Sequence, residues 1–296
     1  MAGGDTRGPF TAAPAVGPSP SGVVVSLPDD RLPLITIPGF PTGVRALMSW
    51  RGAEQTAWGY NLATHTGEPL EAVLERRATL AYAIKARPHW LEQVHGRRVV
   101  ELRDDAHLAP DPGPAQADAS VSRSWGEASA VLVADCLPVL MALTSGAAVA
   151  AAHAGWRGLQ AGVLQATLDR LTANAPASDE VVAWLGPCIG AQAFEVGPEV
   201  REAFCGPQAA YAKSFRPSPG RTGHWIADLQ GLAMVTMLDW ASRHHRVLRW
   251  AAPPGGCTVH EATHWFSYRR EGRTGRMAAL IWRENPALAR VSEELN

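Results

Sequence analysis

The chain has 296 residues, with 27 Lys and Arg against 28 Asp and Glu and a formal charge of −1. That balance gives no electrostatic basis for binding nucleic acid or an anionic membrane. With 46% hydrophobic and 19% charged residues, the composition is that of a globular protein long enough to bury a real core.

In chain order, residues 1–25 are rich in Gly, Pro, Ala and Ser and are expected to be a disordered tail. Residues 26–290 are expected to form the folded domain. The start has neither the basic residues nor the apolar stretch of a secretory signal. The four cysteines, Cys136, Cys188, Cys205 and Cys257, are too widely spaced for a small disulfide scaffold. A cytoplasmic location is the expectation.

Residues 22–27 and 44–49 read as strands. Pro69 opens a predicted helix in which Leu70, Val73, Leu74, Arg77, Leu80, Ala81 and Ile84 keep helical spacing. The apolar stretch 128–155 is interrupted by Asp135, Pro138 and a Thr-Ser-Gly turn at 144–146. It therefore predicts several buried strands, at 131–133, 139–141 and 149–151, and not a membrane span. A helix over 161–171, a strand at 181–185 and a short helix at 198–204 follow. Asp228 is a candidate N-cap for a helix to about residue 243. Strands at 247–250 and 277–282 complete the series. No internal repeat is found, and no linker after residue 30, which predicts one mixed α/β domain.

Three segments place reactive side chains beside tight turns: W-L-E-Q-V-H-G from Trp90, A-D-C-L-P-V from Ala134 and A-A-H-A-G-W-R-G from Ala151. His95, Cys136 and His153 sit at or near the ends of apolar runs, where strands present side chains to a crevice. One Cys and two His form a three-ligand set. With the fourth position left to water, that is the count of a catalytic zinc site. Zinc lowers the pKa of bound water towards ~7 and supplies a nucleophile at neutral pH. The plainer reading treats Cys136 as a small buried hydrophobe and the two His as core residues.

A second pattern, H-E-x-x-H over His260–His264, matches the zinc-protease motif, which needs both His on one helical face. Here a Pro-Pro-Gly-Gly run precedes it and a strand-like aromatic run, 265–268, follows. The match is read as chance. Arg157, Arg269, Arg270 and Arg276 lie near turns and could grip phosphate or carboxylate, or simply face solvent. Trp156 and Tyr268 could stack on a base or belong to the core. The segment 186–190, G-P-C-I-G, could line a pocket but lacks the spacing and Lys of a P-loop.

Taken together, these segments resemble the YfiH-type family, also called the laccase-domain, polyphenol-oxidase or peptidoglycan-editing-factor family. The resemblance rests on the three segments above together with A-D-A-S from Ala117, A-W-L-G-P-C-I-G from Ala183, A-F-E-V-G-P-E-V-R-E-A-F from Ala193 and F-S-Y-R-R-E-G-R-T-G-R-M-A from Phe266. It covers roughly residues 40 to 283.

The resemblance implies a single-domain layered α/β sandwich with mixed sheets, of the CNF/YfiH-like cysteine-hydrolase type. It implies metal ligands at His95, Cys136 and His153, holding one zinc ion with water in the fourth position. The family's early Arg falls near Arg51, though without the family's double Gly, and its Asn-Leu pair falls on Asn61-Leu62. The implied activity is phosphorolysis of purine nucleosides (adenosine, inosine, methylthioadenosine), with deamination of adenosine as a second activity. The expected partners are thus small molecules, a nucleoside and phosphate, with no nucleic acid or membrane. Cys136, His153 and Arg157 are the expected catalytic residues; Arg51, Asn61 and Arg269 are expected to contact substrate.

Two other family labels imply an amidohydrolase that edits a peptidoglycan precursor, and a copper-dependent phenol oxidase. One Cys and two His would also bind copper. A multicopper site needs clustered His, and the sequence offers just the adjacent pair His244-His245.

Overall fold

A computed structural model describes residues 32–54, 56–103 and 113–285. A five-stranded sheet has the order β1 (Leu34–Thr36), β2 (Val44–Ser49), β14 (Met277–Arg283), β6 (Glu127–Val133), β3 (Arg87–His89). Its pairs are antiparallel except β3 with β6. A six-stranded sheet runs β13 (Leu248–Trp250), β9 (Val181–Leu185), β7 (Leu137–Leu143), β8 (Val149–Ala154), β5 (Ala119–Ser122), β4 (Val99–Leu102). Its two outer pairs are parallel and its inner ones antiparallel.

The two large sheets pack face to face. Side chains alternate along a strand, so Leu140, Ala142, Val149 and Ala151 of the six-stranded sheet meet Ala46, Met48, Val131, Val133 and Ile281 of the five-stranded one. Odd-numbered β7 residues, such as Val139 and Met141, face the other way. They pack on α3 (Val163–Thr172), α4 (Pro198–Cys205) and α5 (Leu229–Arg243). The outer face of the five-stranded sheet packs Ala130, Leu132 and Leu280 against Leu80 and Ile84 of α1 (Leu70–Ile84). The result is the expected layered α/β sandwich, with helices outside and two sheets within. It explains why β6, β7 and β8 read as continuous apolar runs: both faces of each strand are covered.

Several expectations meet the structure closely. Pro69 immediately precedes α1, and the Asp228 carboxylate caps α5 by accepting the Gly231 N–H at 2.9 Å. Two need correction. The helix expected over 161–171 is α3, which starts two residues later because Gly162, at φ +95°, ends a separate short helix, α2 (Trp156–Ala161), that was not expected. The run 265–268 is not a strand. Ser267 accepts the Arg270 N–H and starts the short helix α6 (Tyr268–Glu271). The sequence also gave no sign of a small antiparallel sheet made by β10 (Glu195–Val196), β12 (Trp225–Ala227) and β11 (Phe215–Pro217). The strand expected at 22–27 and the tail boundary lie outside the described residues. No helix among the described residues is long and apolar enough to cross a membrane.

Candidate metal centre

Three local structures bring the site together. Cys136 occupies the turn between β6 and β7; Asp135, just before it, takes φ +89°. His153 is the penultimate residue of β8, paired with Pro138, and its parity with Val149 and Ala151 turns it towards the space between the sheets. His95 lies on a loop at φ +59°. Positive φ in a non-glycine residue costs roughly 1–3 kcal/mol and persists where surrounding contacts enforce it. Here the enforcing groups are visible. Asp135 accepts hydrogen bonds from the Thr258 hydroxyl and the Arg269 N–H, both at 2.6 Å. The loop at His95 is held by Asp118.

Asp118 is fully buried. Its carboxylate accepts the backbone N–H groups of Val94, His95 and Gly96 at 3.2, 2.8 and 2.7 Å. It also meets His153 Nδ1 at 2.8 Å. This fixes the Nδ1–H tautomer of His153 and leaves Nε2 as the ligand atom. The sequence reading quoted A-D-A-S as a matching stretch but gave Asp118 no role.

The ligand atoms of His95, Cys136 and His153 all lie within 4.8 Å of one another. Cys136 Sγ is 3.7 Å from His95 Nε2. Donors around one tetrahedral zinc ion stand roughly 3.5 Å apart, given bonds of about 2.0–2.3 Å. The donor set and its spacing therefore fit a metal ion. Gly155 makes the approach possible, because a Cβ there would stand 2.9 Å from Cys136 Sγ and 3.0 Å from His95 Cδ2.

The electrostatics suit a thiolate ligand. Burial alone would keep the Cys136 thiol protonated, but His153 and His95 outweigh it and bring its pKa below the usual thiol value. Burial likewise opposes charge on His153. The Cys136 sulfur and the Asp118 carboxylate outweigh it and raise that pKa.

The cluster opens into a cavity of about 570 Å³, a size typical of small-molecule sites. Trp156, Phe194, Ile189, Tyr268, Arg269 and Arg276 contribute to its wall. Tyr268 is 60% exposed and so is not a core residue. Ile189 brings the segment 186–190 to the cavity, as one reading of that segment expected.

Of the other expected site residues, Arg269 lines the cavity, whereas Arg51, Asn61 and Arg157 lie outside its lining. Arg51 is buried and bound to Glu271, the Ala262 carbonyl and the Thr56 carbonyl. Asn61 is fully buried, and its Oδ1 accepts the N–H groups of Ala63 and Arg276. Arg157 is exposed, with its guanidinium 4.4 Å from the Trp156 ring centroid. His260 and His264 are exposed on turns, not on one helical face. The carboxylate of the intervening Glu261 bonds Cys257 N–H and the Trp265 indole.

Comparison with known proteins places this site in a group. Residues 48–284 match the family described as multi-copper polyphenol oxidoreductase laccase. A purine nucleoside phosphorylase of Pseudomonas aeruginosa is 44% identical over 246 residues, covering 82% of this chain and 94% of its own. The purine nucleoside phosphorylase YfiH of Escherichia coli is 40% identical over 249 residues, covering 82% and 95%. The crystal structure of a Neisseria meningitidis DUF152 protein aligns with a TM-score of 0.74 at 39% identity, over 86% of this chain and all of that one. The YfiH protein of Bacillus licheniformis, at 24% identity and a TM-score of 0.68 over 81% and 92%, shares the fold. With four-fifths of its length matched at 40% identity and above, the chain belongs to the laccase-domain, or YfiH-type, family.

Proposed function

We propose that this chain is a zinc-dependent purine nucleoside enzyme. It would cleave adenosine, inosine and methylthioadenosine with phosphate, and deaminate adenosine to inosine. One observation carries this reading: a Cys-His-His donor cluster opens into a cavity whose wall combines aromatic rings with two guanidinium groups. The names of the Pseudomonas aeruginosa and Escherichia coli relatives support the same chemistry.

His95, Cys136 and His153 would hold the ion. When bound, zinc supplies Lewis acidity and lowers the pKa of water towards neutrality. The remaining work falls to the chain. Asp118 keeps His153 in one tautomer and pins the His95 loop. Tyr268, exposed at the cavity wall, offers a face for stacking on the purine. Phosphorolysis forms a bond from a phosphate oxygen to the anomeric carbon and breaks the glycosidic bond. The bonding pair leaves on the purine nitrogen, which takes up the proton released by phosphate. Arg269 or Arg276 would orient the oxyanion. Arg51 and Asn61, behind the wall, would position Glu271 and Arg276 and not touch substrate. Deamination consumes water in place of phosphate and releases ammonia.

Copper-dependent phenol oxidation is the second reading, favoured by a donor set that also suits copper and by the description of the matched family. Among the described residues, however, this is the one cluster of three or more such donors, whereas multicopper chemistry uses several.

The test is to incubate the zinc-loaded protein with adenosine, with and without phosphate, and separate the products. Adenine and ribose 1-phosphate are expected with phosphate alone, and inosine under both conditions. Unchanged adenosine in both would overturn the reading. Release of an amino acid from a peptidoglycan precursor would then move the assignment to amide hydrolysis.

A further inference from the structure

Among the described residues, two partly buried guanidinium groups in and behind the cavity wall form no direct ion pair, although Asp135 and Cys136 lie within electrostatic reach of one of them, Arg276. Arg276 lines the cavity. Its backbone N–H is clamped by Asn61 Oδ1 at 2.9 Å, and Nη1 donates to the Thr274 and Gly275 carbonyls at 2.8 and 3.0 Å. These bonds occupy one nitrogen of the fork, and among the described residues Nε and Nη2 have no acceptor. Among the described residues no carboxylate pairs with Arg276, whereas three other buried or half-buried Arg side chains have one. Arg51 pairs with Glu271, Arg76 with Glu68 and Arg270 with Glu271.

Arg77 is similar. Its Nε donates to the Leu62 carbonyl at 2.8 Å and its guanidinium lies 4.2 Å from the Trp90 ring centroid. It too has no carboxylate partner among the described residues. His65, on the cavity wall, lies within electrostatic reach of both Arg276 and Arg77.

Desolvating a cation that has no direct ion pair is costly. Burial lowers the pKa of Arg276, and brings that of Arg77 down to about 10. Partial desolvation, with the two Arg charges, lowers that of His65, whose side chain still reaches solvent. This favours the neutral imidazole, which offers one N–H donor and one acceptor. A planar fork with two free donors beside a neutral ring matches an oxyanion, and Arg is suited to bidentate phosphate contact.

We infer that Arg276 and His65, with Arg77 behind them, form the inorganic phosphate subsite of this cavity. The inference rests on the phosphorolysis reading and chooses Arg276 over Arg269 for the phosphate. Arg269 is a poorer candidate. Its backbone N–H is committed to Asp135, and its side chain leans towards the Glu195 carbonyl and the Phe194 ring.

The test reads phosphate binding directly, by the melting temperature of the zinc-loaded protein in phosphate against chloride at equal pH and ionic strength. A saturable rise is expected for the wild type. In His65→Ala and Arg276→Gln its midpoint should move to higher phosphate, by about tenfold or more for the Arg variant, which loses a charged hydrogen-bond donor pair. Arg243→Ala removes a surface charge paired with Asp239 and should leave the midpoint in place. If Arg276→Gln does not fold, His65→Ala decides, since that side chain is exposed. A wild-type midpoint in the variants would overturn the subsite, because phosphate would then be binding elsewhere, the metal included. An equal rise with acetate would overturn its assignment to phosphate. A rise with adenosine 5′-monophosphate but none with free phosphate would overturn the free-phosphate source. Adenosine turnover in the same samples separates the two claims: a phosphate effect that the variants abolish, in a protein that leaves adenosine intact, supports the subsite and defeats the phosphorolysis reading.

Discussion

Asp118 and His153 are joined by a buried hydrogen bond of 2.8 Å from Nδ1 to a carboxylate that also receives three consecutive backbone N–H groups. One side chain therefore orients two of the three candidate metal ligands. It sets the tautomer of His153 and the backbone of the loop that carries His95. Burial penalises the Asp118 charge, but the His153 bond and the N–H groups of Gly96 and Val94 outweigh it and keep its pKa low.

Asp118→Asn preserves the shape and removes the charge. Outer-shell partners of this kind change metal affinity by about 10–100-fold, and a loss in that range is expected here. Competition with a chelator of known affinity measures it. An unchanged affinity would show that the His95 loop and the His153 ring are held by other contacts.

Gly155→Ala should weaken the site by crowding. The new methyl group would meet Cys136 Sγ and His95 Cδ2 at about 3 Å, and overpacking of this type costs about 1–3 kcal/mol. Gly155 has φ −62°, so backbone strain does not contribute. Urea denaturation should show the loss of stability, and zinc titration a weaker site. A variant with wild-type values in both would mean that the turn relaxes freely.

The sheets were legible in the sequence because β6, β7 and β8 are covered on both faces and so appear as unbroken apolar runs. The long helices were legible from Pro69 and Asp228. The helix α2 before Gly162 stayed hidden because six residues are too few to show a helical period. The aromatic run at 265–268 looked like a strand because β-propensity reports half-buried surroundings as much as backbone shape. The three-residue strands β11 and β12 are too short to show a period.

For the site, resemblance and strand ends pointed to His95, Cys136 and His153. Asp118 stayed hidden, since its role depends on contacts 22 to 35 residues away in the chain. His65 and Arg276 are 211 residues apart and come near each other only as parts of the folded cavity wall.

Glu271→Gln should expose the supporting role of Arg51. The carboxylate accepts Arg51 Nη1 at 2.7 Å and Arg270 Nη2 at 2.8 Å, and also the Thr274 hydroxyl. Burial opposes its charge, but these partners prevail and lower its pKa below 4.5. The unfolded chain therefore takes up the proton first as pH falls. The carboxylate's contribution is full above the unfolded pKa and is lost as pH drops through the folded one. The variant should be about 1–3 kcal/mol less stable near pH 7, and the gap should close as pH falls through the folded carboxylate's titration. A gap that does not change with pH would assign the loss to shape and not to charge.

The most direct measurement is the zinc content per chain of three proteins purified side by side. These are the wild type, Cys136→Ala and the double variant His260→Gln/His264→Gln. Cys136 supplies the thiolate of the cluster, whereas His260 and His264 are exposed on turns. The account predicts one zinc in the wild type and in the double variant, and none in folded Cys136→Ala. Full zinc in Cys136→Ala, with loss in the double variant, would contradict it.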